Sequence, residues 1–230
     1  NTWTQLVDLG GNYRFNGVGF SIGDKGYVLG GQQNPTTSSP SSGGFFDSNT
    51  FWEFNPSTIA VSPRICLEGP YDQGTGLMSD ALRTNALLPA VDPYGANGYP
   101  LPGGTYSDLL FPGIPTTTSS NAVVDRVVVE LRDGGTPSQI KASRHVWLQR
   151  DGDVVDMDGT SPVRFTVPPG SYHVAIRHRN HLGVMTATPI PLGSSPATID
   201  FRNAGTATYG TAAQKTLGAV RALWAGDATF

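Results

Sequence analysis

Two groups of side chains in this sequence are of the types that bind cations or move protons. Asp151, Asp153, Asp156 and Asp158 place four carboxylates within eight residues, and Gly152 and Gly159 permit sharp turns among them. Hard oxygen ligands at that density can hold Ca²⁺. The spacing departs from the EF-hand loop, with no Gly sixth after a D-x-D-x-D run and no Glu closing a twelve-residue loop. Two Asp-Gly turns of a β-protein account for the same residues without a cation. The second group is His173, His178 and His181. His178 and His181 would ligate zinc together only if the chain bends after Arg179, and no thiolate or carboxylate is placed by the sequence to complete four ligands. Strand parity puts His173 toward solvent and His178 on the face of Val174 and Ile176, with His181 in a loop.

Catalysis by these groups lacks a companion. The single cysteine, Cys66, lies between Ile65 and Leu67 as a small buried hydrophobe would. Glu53, Glu68 and Glu130 are the only glutamates, each inside a strand-like run, which is a poor setting for the paired carboxylates of a glycosidase. Arg164, Arg177 and Arg179 read as a solvated stripe on an outer sheet face. Trp52, Trp147, Trp224 and Tyr27 would stack on sugars if exposed, and belong to the core otherwise.

The elements that position these residues are strands. The chain has 230 residues with 29 Gly and 18 Pro, and charged residues make up 14%, well below an ordinary globular domain. Thr, Ser, Val and Gly dominate, which favours strands joined by tight turns. The formal net charge of −3 offers no basic field for nucleic acid or an anionic membrane. No run of 18 apolar residues is present to span a bilayer. One cysteine allows no internal disulfide. The first residue is Asn rather than Met and no signal peptide is visible, as a processed or truncated start would give.

Residues 1–59 form one expected unit. Gly17-Val18-Gly19-Phe20-Ser21-Ile22 alternates, Gly23-Asp24-Lys25-Gly26 turns, and Tyr27-Val28-Leu29-Gly30-Gly31 returns as a second strand. Gln32 to Asn49 is a polar Pro/Thr/Ser/Gly loop ending in Phe45 and Phe46. Phe51-Trp52-Glu53-Phe54 follows as a third strand, and Asn1 to Leu6 supplies an outer one. With its hairpin strands, glycine doublet and Trp-bearing strand, this segment resembles a kelch repeat, which implies a four-stranded propeller blade. A blade buries its faces against neighbouring blades, so a lone one leaves Val18, Phe20, Ile22, Phe45, Phe46 and Trp52 as interface candidates.

Residues 60–230 form the second expected unit. Arg64 to Glu68 opens it as a strand, Met78 to Arg83 makes one helical turn with Asp80 beside Arg83, and residues 95–120 form a long surface loop. Val127, Val129 and Leu131 alternate with Arg126, Glu130 and Arg132. Trp147 to Arg150 and Val154-Val155 flank an Asp151-Gly152 turn, and a Pro168-Pro169-Gly170 turn is expected to join Val163–Val167 to Tyr172–Arg177 as a hairpin. Short strands from 186 to 191, 197 to 201 and 218 to 224 complete an all-β fold: a kelch-like blade followed by an antiparallel β-sandwich of immunoglobulin or prealbumin type.

Several motifs in one order carry a second resemblance. Leu67-Glu68-Gly69-Pro70-Tyr71, Gly76 to Arg83, Val127 to Asp133, Leu148 to Asp156 and His178 to Thr186 are similar to a module of large secreted cell-surface proteins of Bacteroidota, many exported by the type IX secretion system. The resemblance implies an extracellular or cell-surface, non-enzymatic structural or adhesive module that meets a protein partner or another copy across the open blade faces. Two alternatives stand beside it: a glycan-contacting, carbohydrate-binding module of a larger secreted enzyme, and a fragment of a kelch-propeller enzyme. No cofactor is expected beyond the Ca²⁺ candidate.

Overall fold

The computed structural model describes residues 14–15, 17–22, 25–29, 32–33, 46–47, 51–54, 58–89, 93–96, 98–99 and 116–226. The chain divides into two compact units, 1–56 and 57–230. The second unit starts ahead of the expected strand at Arg64, because Ile59 already opens its first strand.

In the first unit the strands are β1 (Arg14–Phe15), β2 (Val18–Ile22), β3 (Lys25–Leu29), β4 (Gln32–Gln33), β5 (Phe46–Asp47) and β6 (Phe51–Phe54). They make two three-stranded antiparallel sheets, ordered β2-β3-β6 and β1-β4-β5. The alternating Val18, Phe20 and Ile22 run pairs with β3 from Val18↔Leu29 to Ile22↔Lys25. Gln32–Gln33 and Phe46–Asp47, expected within a loop, pair with each other instead. The expected outer strand at Asn1 to Leu6, the Gly30-Gly31 doublet and Phe45 lie outside the described residues.

Among its described residues the second unit is all-β with two one-turn α-helices and a 3-10 turn at Ser119–Asn121. Its strands are β7 (Ile59–Arg64), β8 (Tyr71–Asp72), β9 (Leu77–Met78), β10 (Val123–Asp133), β11 (Ile140–Gln149), β12 (Val154–Val155), β13 (Val163–Phe165), β14 (Gly170–His178), β15 (His181–Met185), β16 (Ile190–Leu192), β17 (Ala197–Asp200), β18 (Lys215–Leu217) and β19 (Val220–Ala222). The helices are α1 (Ala81–Thr84) and α2 (Pro93–Ala96). One sheet runs β12-β11-β10-β14-β15, with β16 also on β14, and the other runs β13-β7-β17. Between them lies the main core, including Ile59, Val61, Ile65, Val127, Val129, Leu131, Val146, Val174, Ile176 and Phe201. All pairings in both sheets are antiparallel except β17 with β7, which is parallel.

β10 occupies the centre of the large sheet, and its first nine residues are all buried. Inner-face residues Val127, Val129 and Leu131 join the main core. The outer face is covered too: Leu88 packs with Val123 and Trp147, while Tyr94 and Tyr99 pack on Val128. Arg126 is therefore sealed in, with its guanidinium 4.5 Å above the Trp147 ring, a cation–π contact in a dry setting. Glu130, fully buried, accepts from Arg132 Nε (2.8 Å) and Nη2 (2.5 Å) on one carboxylate oxygen. The expected surface loop after residue 95 thus begins as a cover, since Tyr99 is buried.

Two local expectations meet different outcomes. Trp147↔Val155 and Leu148↔Val154 form the expected hairpin around Asp151-Gly152. Gly152 sits at φ +91°, and a Cβ there would lie 2.6 Å from the Ile65 carbonyl oxygen, so glycine is required. The hairpin expected across Pro168-Pro169-Gly170 does not form. β13 pairs with β7 and β14 pairs with β10, β15 and β16, so the prolines, lacking N–H groups for a ladder, carry the chain from one sheet to the other.

Ile176 is fully buried in β14, opposite Val129. Truncation by Ile176→Ala is expected to cost about 3 kcal/mol in urea unfolding, the usual scale for emptying a packed core site. A loss below about 1 kcal/mol would mean that the two sheets do not close over this residue.

Candidate functional site

A group of interacting polar side chains in the second unit lies where β10 begins and the β14–β15 hairpin turns. Two irregularities in strand pairing meet there. The β10–β11 register slips between Val123 and Asp125, and the β14–β15 register slips between Ile176 and His178. Such bulges re-aim side chains out of strict alternation. Val124 consequently joins the main core, and Asp125 turns toward the hairpin.

Asp125 is 2% exposed and holds two partners. Its Oδ2 lies 3.2 Å from His178 Nε2, and its Oδ1 accepts from Arg179 Nη1 at 2.6 Å. The two-residue turn Arg179-Asn180 folds His181 back beside His178, with their ring centroids 4.7 Å apart. The two Nδ1 atoms face each other at 2.9 Å, Asn180 N donates to His178 Nδ1 at 3.2 Å, and His181 Nε2 reaches the Glu68 carbonyl oxygen at 2.9 Å. Tyr94 closes the outer side, donating its hydroxyl to the Arg126 carbonyl at 2.6 Å and accepting the Arg179 N–H at 3.4 Å.

Glu68 links this group to the end of the described chain. Its carboxylate pairs with Lys215 and accepts Ala225 N at 2.9 Å. Its own N–H donates to Leu223 O, Leu182 N donates to Trp224 O, and Gly226 N donates to Asn180 O. Residues 223–226 are thereby stitched between the Glu68 segment and the β14–β15 hairpin.

Charge follows geometry. Burial pushes the Asp125 carboxyl up, but the hydrogen bonds and charges of His178 and Arg179 outweigh it and hold the group below the usual carboxylate range. The Lys215 hydrogen bond and the Ala225 N–H hold Glu68 low as well. Burial pushes the His181 imidazole down, opposed by Glu68 and Asp125. Burial also pushes the Cys66 thiol up to about 11, so it stays protonated near neutrality and is a poor nucleophile. Among the described residues the Asp125–His178 contact continues to a second imidazole rather than to a hydroxyl or thiol.

The residues singled out by sequence are dispersed differently. Asp151 Oδ1 caps its own turn on Asp153 N, Asp153 pairs with Arg64, Asp156 pairs with Arg144 at 2.5 Å, and Asp158 accepts Thr160 N, Ser161 N and Ser161 Oγ. The four carboxylates are not brought together, and no group of three or more His, Cys, Asp or Glu among the described residues could hold a metal ion. His173 is buried rather than solvent-facing, its Nδ1 2.9 Å from Thr186 O, and His181 is buried in a strand rather than a loop. The arginine stripe dissolves: Arg164 lies on the other sheet, Arg177 covers the Tyr99 ring at 4.8 Å, and Arg179 is spent on Asp125. Trp147 belongs to the core.

In the first unit, Val18 and Phe20 are 57% and 40% exposed, and Phe20 stacks on Tyr27 at 5.3 Å. Ile22, Phe46 and Trp52 are placed in β2, β5 and β6. A shallow groove of about 380 Å³ in the second unit is lined by Arg132, Arg177, Leu182, Met185 and the exposed Tyr209. Asp125, Glu68 and Tyr94 are the members of the group that the sequence reading left without a role. The available signal was an Asp-Arg pair inside an apolar strand run.

Removing Asp125 leaves a buried His178 and a half-buried Arg179 without their anion, so Asp125→Ala is expected to cost roughly 3 kcal/mol near neutral pH. Because its folded-state value lies below the unfolded one, that stability is complete above about pH 4 and is lost as pH falls through the folded value. Urea unfolding should therefore show the variant's deficit shrinking in acid. A deficit independent of pH would remove the charge-based account. A chelator should leave the thermal midpoint unchanged, since turn N–H groups and arginines already occupy the four aspartates, whereas a drop would show a bound cation. No protein-family model matches this chain, and neither the curated proteins nor the solved structures contain a match.

Proposed function

We propose that this chain is a non-enzymatic structural or adhesive module of a secreted or cell-surface protein, and that it associates with a second copy through the open face of its β2-β3-β6 sheet. The observation that carries this reading is the exposure of Val18 and Phe20. The two residues alternate on β2, which among the described residues is an end strand of its sheet, so they present one exposed apolar strip along that strand. Exposed apolar edge strands of this kind are templates for pairing with another chain. The low content of charged side chains leaves little like-charge repulsion to oppose such contact.

The chemistry of the second unit supports a holding role. Asp125, His178, His181, Arg179 and Glu68 tie separate chain segments to one another, and the unit's thiol is protonated and covered. No helix among the described residues is long and apolar enough to cross a membrane. The carbohydrate-binding alternative asks for two or three coplanar exposed rings on a sheet face. The groove in the second unit offers Tyr209 alone among the described residues.

Sedimentation velocity across a concentration series tests the reading. The full chain is expected to associate as concentration rises, and Val18→Ser with Phe20→Ser should weaken that association by tenfold or more, about 1.4 kcal/mol. A monodisperse monomer at every concentration, unchanged by the double substitution, would sink it.

A further inference from the structure

Counting protons across the His178–His181 pair gives a result that neither ring shows alone. Asp125 is held as a carboxylate and can only accept, so the proton of its contact with His178 sits on Nε2. The Glu68 carbonyl also only accepts, so His181 Nε2 carries a proton too. His178 Nδ1 already accepts the Asn180 N–H. The 2.9 Å contact between the two Nδ1 atoms is then a hydrogen bond only with its proton on His181, shared with the longer Asn180 N–H on the one His178 lone pair. The two rings then hold three protons, and a neutral pair holds two. The contacts as they stand belong to a cationic His181 beside a neutral His178.

We propose that His181 is an acid-closed latch: protonated, it bridges His178 and the Glu68 carbonyl together and clamps residues 223–226 between the Glu68 segment and the β14–β15 hairpin. Deprotonation forces a choice. With its one proton on Nε2, His181 keeps the Glu68 carbonyl and turns a lone pair toward His178. With the proton on Nδ1 it keeps His178 and turns a lone pair toward the carbonyl. One of the two bridges is lost in either tautomer. The last described segment feels the loss directly, because His181 and Ala225 are bridge partners and Leu182 N donates to Trp224 O.

The charged groups around the pair are fixed. Asp125 of β10 and Arg179 of the turn face His178, the Glu68 carboxylate with Lys215 of β18 faces the His181 side, and the neutral Tyr94 hydroxyl of α2 closes over Arg179. Both carboxylates stay ionised across the range in which an imidazole titrates. Burial pushes His181 below the ordinary imidazole range, so the latch is open at neutral pH and closes in mild acid. The sign for the whole fold is opposite. A lowered folded value means that the stability contributed by His181 is present above about pH 6.5 and is lost as pH falls through the folded value. Local clamping and global stability therefore move in opposite directions, which separates the device from ordinary acid unfolding.

Long-range ¹H–¹⁵N spectra of the imidazoles of the full chain, recorded from about pH 5 to about pH 8, test this directly. The expected result is a His181 that passes from two protons to one. Amide exchange of Leu182, Ala225 and Gly226, corrected for the intrinsic rate, should quicken about fivefold as His181 loses its proton, the scale of one hydrogen bond. Titration of His181 with no change in these amides would overturn the proposal. So would a pair that never gains a third proton before unfolding. In His181→Gln, which cannot gain a proton, the exchange of these amides should lose its pH dependence, and persistence of that dependence would overturn the latch. Should that variant fail to fold, the wild-type spectra decide alone.

Discussion

The constraint on which the second unit depends is that its central strand, β10, has no wet face. Sheets with one solvated face place polar residues outward and need no further device. β10 instead carries Asp125, Arg126 and Glu130 into a covered setting, where each ion must find an opposite charge, a ring face or enough donors. Glu130 takes Arg132, Arg126 lies on Trp147, and Asp125 takes His178 and Arg179. These contacts fix which loops can lie over the sheet. They explain why the segment bearing Leu88, Tyr94 and Tyr99 is held there without a long helix of its own.

Much of the all-β architecture was legible because it rests on period-two alternation and on turn residues. Val127, Val129 and Leu131 form one face as their spacing implies, Asp151-Gly152 turns as expected, and the single helical turn at Ala81–Thr84 pairs Asp80 with Arg83 at 2.5 Å. What alternation cannot reveal is a second layer. A polar residue on the off-face of a strand reads as solvated unless something non-local covers it, and the cover over β10 includes Leu88, Tyr94 and Tyr99. The expected Pro168-Pro169 hairpin fails for a related reason: proximity in sequence predicts pairing only when the connection stays within one sheet.

The buried polar group was legible in its parts and hidden as a whole. His178 and His181 stand out by spacing, yet their partners come from Asp125, more than fifty positions earlier, and Glu68, more than a hundred positions earlier. Two register slips bring them together, and a slip leaves no mark in a simple alternating pattern. The acidic run from Asp151 to Asp158 is the converse case. It is conspicuous in sequence, and in the fold it is divided among separate turns and arginine partners.

The parallel pairing of β17 with β7 bears on how the molecule comes to be. β7 finds both of its neighbours more than a hundred positions downstream, with Val61 opposite Val163 on one side and Ala197 on the other. Contacts of such wide sequence separation must wait for the closing of long loops, and they slow folding. As the polypeptide emerges from the ribosome, the strand that opens the second unit remains without a partner until Phe165 has been made, and without its second until Asp200. Its apolar residues, Ile59 and Val61, are then the exposed part of the nascent chain most in need of protection from misassembly.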